Sequence, residues 1–478
     1  MGEAIAESRF HERDFVEFFR RLRMETDLLH KWLEEGVLAS GEATIGLEIE
    51  GWLVGKGCAP LPVNEQFLAL VKNPLVVEEL GKCNIELNVS PQKLSGSGLR
   101  VMQEELGGIW QECKKTAGLL GAEALLIGIL PTLQLHDLRK ENMTPTQRYA
   151  ALDDQIGRMR RRQPHLVEIA GEEDLRFMHE GVMVEAATTS LQLHLQVSPA
   201  QAAHFYNIAL LVSAPLVAAS GNSPFLFGHS LWDETRIPLF EQALAVNGVS
   251  APEDYRVTFG TGFLTDSIAE CFQENMQKYA IVLPVVWSDG PERMHHLRLH
   301  NGTVWRWNRP LIGFDAEGCP HVRIEHRVMS AGPTILDSMA NAAFFFGLMY
   351  GLAGDLFTHS LLPPVPISFA QTRANFYAAA QHGLRALLMW GKKTPVNARE
   401  LLLKELLPLA REALVAREID NADIDLLLGI VEDRVRSGRT GAVWQRACAA
   451  HCDGDLRMMT QLYCSFQKSG APVHEWGI

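Results

Sequence analysis

Apolar and polar residues alternate in four short stretches of the chain. Ile45, Leu47 and Ile49 alternate with Glu48 and Glu50, and Ile85, Leu87 and Val89 with Asn84, Glu86 and Asn88. Leu191, Leu193, Leu195 and Val197 alternate with Gln192, His194 and Gln196, and Val322, Ile324 and Val328 with Arg323, Glu325 and Arg327. Side chains two apart in a strand share a face, so each stretch predicts a strand with one face for a core and one for something polar. Strands are expected over 44–54, 84–89, 124–130, 281–287, 303–307 and 321–328, with Pro131 halting the third. The links show no regular strand-helix-strand repeat, so the set should be mostly antiparallel.

Helical spacing fills most of the rest. Phe15, Phe18, Phe19, Leu22 and Leu29 predict a first helix that breaks near Gly36 and Gly41. Asn64 reads as the cap of a helix after the turn 55–62, and a long helix should run from Gly96 and Gly98 to about Gly118. Thr144-Pro145 has the form of a cap followed by proline at the first helical position. It would put Arg148 and Tyr149 in a first turn, where backbone N–H groups favour anions. Ser198-Pro199 repeats the device before an apolar helix through Ala219, and Asn222 and Ser223 read as turn-shaping residues. The most apolar windows, 207–220 and 342–353, are short for a bilayer and read as buried helices.

After Ser368 the pattern is amphipathic helix over 370–390, 398–417, 422–436, 442–450 and 453–468, with no strand signal. A boundary near Pro366 would separate a catalytic domain, 1–366 with its sheet core from about 43, from a helical region, 367–478. The fold class is α+β.

At 478 residues and 47% hydrophobic, the chain is long enough for a large catalytic body and has no composition for disorder. A formal charge of -13 and a pI near 5.7 exclude a nucleic-acid surface. The arginine run 158–162 ends a helical pattern and complements a helix C-terminus. The N-terminal residues mix charges from the start, unlike a signal peptide, and no membrane span is expected. The eight cysteines are scattered, as in a reducing cytoplasm. Cys448, His451 and Cys452 read as buried helix residues, not as a zinc cluster.

The polar faces are unlike ordinary solvent faces. No lysine occurs in 43–54 or 191–197. If the strands share a sheet, Glu48, Glu50, Glu86 and Glu325 converge, and two carboxylates about 4 Å apart repel by roughly 4 kcal/mol at an effective dielectric near 20. Arginines on the Glu325 strand offset part of that. Hard divalent cations, which take oxygen ligands, could supply the rest. A solvated antiparallel face is the plainer alternative for any single strand. The phosphate loop G-x-x-x-x-G-K-[ST], H-E-x-x-H and G-x-S-x-G are all absent.

In order along the chain, TIGLEIEGWLV, NIELNVSP, SLQLHLQVS, the NSPFLFG loop, RWNRP and RIEHR resemble the successive signatures of bacterial and plant-type glutamate-cysteine ligases and related carboxylate-amine ligases. The resemblance covers roughly 40–355. It implies a glutamine synthetase-like fold, a curved antiparallel sheet whose concave face holds ATP and Mg2+ (or Mn2+), with helices outside. It implies an enzyme of glutathione biosynthesis that phosphorylates the side-chain carboxylate of a glutamate-like acid. An amine, cysteine by default, then attacks the acyl phosphate.

In that setting Glu48, Glu50, Glu86, His194 and Glu325 become metal ligands, and Arg327 and Arg309 catalytic groups. Arg323, Arg306, Arg236, Arg148, Gln192 and Gln196 become substrate or ATP contacts, because guanidinium forms bidentate pairs with carboxylate and phosphate. The chain departs from the family pattern where Val328, Met329 and Ser330 follow the E-x-R pair and where Gln192-Leu193-His194 replaces paired histidines. These departures leave the acceptor amine open. A ligase with a different amine acceptor, a catalytically silent metal- or nucleotide-binding regulator, and homo-oligomerisation all remain open readings.

Overall fold

The computed structural model describes residues 5, 7–246, 255–354, 367–391 and 394–478. Its main sheet is built from β1 (Thr44–Val54), β2 (Val76–Glu78), β3 (Asn84–Asn88), β4 (Ser190–Val197), β5 (Asn308–Phe314) and β6 (Pro320–Ser330). They run in the order β5-β6-β4-β1-β3-β2, and the short segments Gln92–Lys93 and Glu123–Leu125 also pair with β1. Every neighbouring pair is antiparallel. The principal helices are α1 (Glu12–Glu35), α2 (Gly98–Leu119), α3 (Gln147–Met159), α4 (Ala202–Ser220), α5 (His295–Asn301), α6 (Ile335–Ala353), α7 (Phe369–His382), α8 (Asn421–Ser437) and α9 (Leu456–Ser469).

The alternation decides which face the helices cover. Leu193, Leu195 and Ile324 are buried under α4 and α6, while Ile85 of β3 is buried on the side that α2 covers, and each such side chain contributes about 2 kcal/mol of burial. The His326 ring stacks on Phe345 of α6 at 4.4 Å, and Asn308 Nδ2 donates to Ser213 Oγ of α4 at 2.9 Å. α4 and α6 are apolar on all sides because α7, α8 and the helix Leu407–Ala416 cover their outer surface. By length and composition both could cross a membrane, but 78% and 83% of their most apolar windows are buried inside the protein, which makes them core helices.

The helices after 367 are fastened to the sheet body. Arg434 of α8 donates to Asp337 Oδ1 at 2.7 Å and Asn341 Oδ1 at 2.6 Å, both on α6, and the Val473 N–H reaches Asp337 Oδ2 at 3.1 Å. Gln467 of α9 donates to the Leu126 carbonyl at 2.8 Å and accepts from its N–H at 3.1 Å.

Several expected elements differ. The stretch 281–287 is a loop, since Pro284 has no N–H for a ladder. The stretch 303–307 shrinks to Trp305–Arg306, paired in parallel with Val257–Thr258. The strand expected over 124–130 pairs only as Glu123–Leu125. Beyond it the Ile127 carbonyl accepts from Trp52 Nε1 at 3.2 Å, and a Cβ on Gly128 would stand 2.6 Å from Ser330 Cβ.

Asn64 is not a cap but the first helical residue, and its side chain donates to Thr144 Oγ1 at 2.9 Å. With Thr144 so engaged, α3 starts later: Thr146 caps it, accepting from the Tyr149 N–H at 3.2 Å, which still leaves Arg148 and Tyr149 in the first turn. A hairpin, His165–Ala170 with Asp174–His179, was not expected, nor was the short pair Leu387–Leu388 with Val396–Asn397. The boundary near Pro366 lies outside the described residues.

Candidate active site

β1 lies inside the sheet, and its register fixes what meets on the polar face. Glu50 stands opposite Glu86 of β3, while Glu48 has Asn88 on that side and Gln192 of β4 on the other. One strand on, His194 faces Glu325 of β6, and Glu325 faces Arg309 of β5. Opposite residues hold their Cβ atoms about 5 Å apart, so these side chains converge on one cavity, which α3 and α5 help to wall.

Acidic groups occupy one end. Glu50, Glu79 and Glu86 each bring a carboxylate oxygen within 4.8 Å of the others. Burial, reinforced by Glu50 and Glu86, pushes the Glu79 carboxyl well above the usual range. Burial and the charges of Glu48 and Glu50 lift Glu86 to about 8. Burial also raises Glu50, against the pull of Arg327 and Ser190, and lifts the nearby Glu185 to about 8. Donors fix the oxygens in place. Glu50 accepts from Ser190 N at 2.6 Å, Ser190 Oγ at 3.0 Å and Gln192 Nε2 at 2.9 Å; Glu86 accepts from Asn88 Nδ2 at 3.0 Å. Buried, oriented carboxylates that would otherwise hold protons fit a hard divalent cation, which binds oxygen and displaces those protons.

A second grouping adjoins the first. His194 Nε2 is 3.1 Å from Glu48 Oε1, yet neither ring nitrogen of this buried histidine has an aligned hydrogen-bond partner among the described residues. Burial opposes charge on Glu48, and His194 and Arg323 outweigh it, so its carboxyl lies below the usual range. At Glu325 burial is likewise outweighed, by Arg309, Arg327 and His194, and the value falls to about 2. Glu48 and His194 thus form a pair beside the acidic group, whereas both oxygens of Glu325 are engaged by Arg309.

Guanidinium groups hold the other end. Arg309 forks onto Glu325, Nε to Oε2 at 2.9 Å and Nη2 to Oε1 at 2.8 Å. Arg323 and Arg327 line the cavity from β6, and the Nε of each is buried without a hydrogen-bond partner among the described residues. Arg327 lies 5.5 Å above the Phe240 ring. Arg148 enters from α3 and Arg298 from α5, while Leu244, Leu283, Trp305 and Ile312 form an apolar flank. Anionic groups such as phosphate and carboxylate suit this end.

The sheet therefore brings together Glu48, Glu50, Glu86, His194 and Glu325, with Arg148, Gln192, Arg309, Arg323 and Arg327 around them. Three candidates lie elsewhere. Arg306 is buried away from the cavity, bonded to Asn275 Oδ1 at 2.9 Å and paired with Glu274 at 3.1 Å. Arg236 pairs with Glu234 at 3.2 Å and donates to the Arg327 and Val328 carbonyls, so it braces β6 from behind. Gln196, near the end of β4, borders a separate hollow with Ser198 and Gln201. Gln192 is in the cavity but engaged with Glu50.

Glu79, Glu185 and Arg298 went unpredicted. Glu79 follows a three-residue edge strand and Glu185 lies in the turn Met183–Ala187, so neither sits in an alternating run.

The family model for Glutamate-cysteine ligase family 2 (GCS2) matches residues 44–461. A glutamate–cysteine ligase from Francisella tularensis, solved in complex with AMP, aligns over 92% of this chain and 96% of its own, with 12% identity and a TM-score of 0.53. A bifunctional glutathione synthetase from Pasteurella multocida aligns over 94% of this chain at 11% identity and a TM-score of 0.53; the chain spans 53% of that protein's length. At these identities the likeness is one of fold. No curated protein matches the chain.

Proposed function

This chain belongs to Glutamate-cysteine ligase family 2, and on that premise we propose that it is an ATP-dependent carboxylate-amine ligase acting on a glutamate-like acid, with cysteine the first acceptor to test. One observation carries the reading. The converging carboxylates of Glu50, Glu79 and Glu86 share a single cavity with the guanidinium groups of Arg323 and Arg327, a place for cations beside a place for anions.

The proposed chemistry has two steps. An oxygen of the acid attacks the terminal phosphorus of ATP and ADP leaves, giving an acyl phosphate. The amine nitrogen then attacks the acyl carbon, inorganic phosphate departs, and the nitrogen loses a proton. Glu50, Glu79 and Glu86 would hold one divalent cation, and Glu48, His194 and Glu325 a second. Magnesium or manganese, when bound there, would offset phosphate charge.

The chain's own groups do the rest. Arg323 and Arg327 present donors for the acid's carboxylate and the transferring phosphoryl group. Arg309, aligned by Glu325, adds charge to the same end, and Arg148 adds a guanidinium at the first turn of α3. The apolar flank limits water, which would hydrolyse an acyl phosphate. All eight cysteines are free thiols, which supports a reducing compartment such as the cytoplasm.

The test is ADP release from magnesium-ATP with glutamate and a panel of amines, followed by the mass of the amide product. Release that needs both acid and amine supports the ligase and identifies the acceptor. No ADP with any pair would leave the fold serving only to bind metal or nucleotide.

A further inference from the structure

α5 begins without a cap of its own. Met294, at its start, has φ 53° and offers the first turn no side-chain acceptor. The acceptor comes from α1. Glu25, 1% exposed, accepts from the Leu297 N–H at 2.7 Å and from His296 Nδ1 at 2.5 Å. The Trp287 N–H donates to His296 Nε2 at 3.3 Å, which assigns the ring proton to Nδ1, the nitrogen facing Glu25. Phe18 of α1 closes on the same ring edge-to-face at 5.3 Å. A carboxylate 272 positions away in sequence thus satisfies an N–H that the start of α5 leaves open.

α5 is a wall of the cavity. Arg298, Leu299 and Asn301 face it, and Arg298 lies 5.7 Å above the Phe314 ring of β5. At the far end of α5, a Cβ on Gly302 would stand 3.7 Å from Arg148 Nη2. Rotation or fraying of the first turn would therefore move Arg298 and Arg148 relative to one another. α1 lies before the residues the family model matches, 44–461.

We propose that Glu25 is a positioning residue: by capping α5 and fixing the His296 ring, it sets where Arg298 stands against an anionic substrate group. That substrate rests on the ligase reading, whereas the capping does not. Glu25→Ala removes the acceptor, and Glu25→Gln, which keeps an oxygen for the Leu297 N–H, is the conservative variant.

The experiment has two arms. Hydrogen exchange on full-length protein should show faster exchange in Glu25→Ala confined to about 287–303, with Glu25→Gln close to wild type; unchanged exchange there overturns the capping. Steady-state ADP release should show KM for one anionic substrate, ATP or the acid, raised about tenfold in Glu25→Ala, with kcat within about threefold. Arg298→Ala should raise the same KM, and the double variant should be no worse than Arg298→Ala alone. A fall in kcat and melting temperature at unchanged KM, or effects that multiply, would make Glu25 an ordinary core residue. If wild type releases no ADP, the ligase reading fails, and the exchange arm still decides the capping.

Discussion

Arg309 and Glu325 meet across neighbouring strands in a two-bond fork, at 2.9 and 2.8 Å, with Glu325 buried at the centre of the cavity. Arg309→Met would leave that carboxylate without its main partner, a loss of about 3 kcal/mol. Thermal denaturation should show a clear drop for Arg309→Met and a smaller one for Arg309→Met combined with Glu325→Gln, while neither variant turns over. Equal melting temperatures in wild type and Arg309→Met would mean that the fork does not hold the carboxylate.

Glu79→Gln and Glu86→Gln replace carboxyls that hold protons in the metal-free site with neutral amides of like shape. In the absence of metal the melting temperature should hold or rise. The stabilisation produced by added magnesium should shrink, and turnover should fall at least a hundredfold. A magnesium-induced shift as large as that of wild type would remove the triad from metal binding.

Glu48→Gln and Glu325→Gln should each cut turnover by orders of magnitude, since each would lose a proposed ligand oxygen without loss of volume, and Glu325→Gln should also lower the melting temperature because Arg309 loses its ionised partner. His194→Ala should raise the magnesium concentration needed for half-maximal activity more than it lowers the melting temperature. A large loss of stability with unchanged magnesium dependence would make His194 a structural histidine.

How much of this could be read from the sequence depended on period and phase. Period-two alternation located the central strands and most cavity residues, because one face packs on the helices α2, α4 and α6 and the other does not. The same rule, fully applied, separates two arginines that were grouped together. Arg306 and Arg309 are three apart, so in an extended run they point to opposite faces, and only Arg309 reaches the cavity. Gln196 shares the face of His194 but sits too far along β4. Glu79 and Glu185 carry no periodic signal, and Glu25 acts on a turn whose need for a cap is visible only in the folded chain.

His326 is buried against Phe345, and burial pushes its pKa from 6.5 down to about 3. The unfolded chain takes up a proton near pH 6.5 that the folded chain refuses. Stability from this group is therefore present above pH 6.5 and is lost as pH falls toward about 3, at up to ~1.4 kcal/mol per pH unit. Glu86 and Glu185, raised to about 8, act with the opposite sign over part of the range, so the wild-type curve alone is mixed. In urea titrations, the advantage of wild type over His326→Leu should shrink by about 1 kcal/mol per unit between roughly pH 6 and pH 4. Parallel curves would refute the shift.

Asp337 takes a guanidinium from α8 and the Val473 N–H while sitting on α6, the helix whose Phe345 stacks on His326 of β6. A fragment trimmed to the strand-bearing half would leave that carboxylate stranded in oil and strip the backing from the platform on which Glu325 and Arg327 stand. Excising the rear helices to obtain a minimal enzyme should therefore yield aggregates rather than a smaller catalyst.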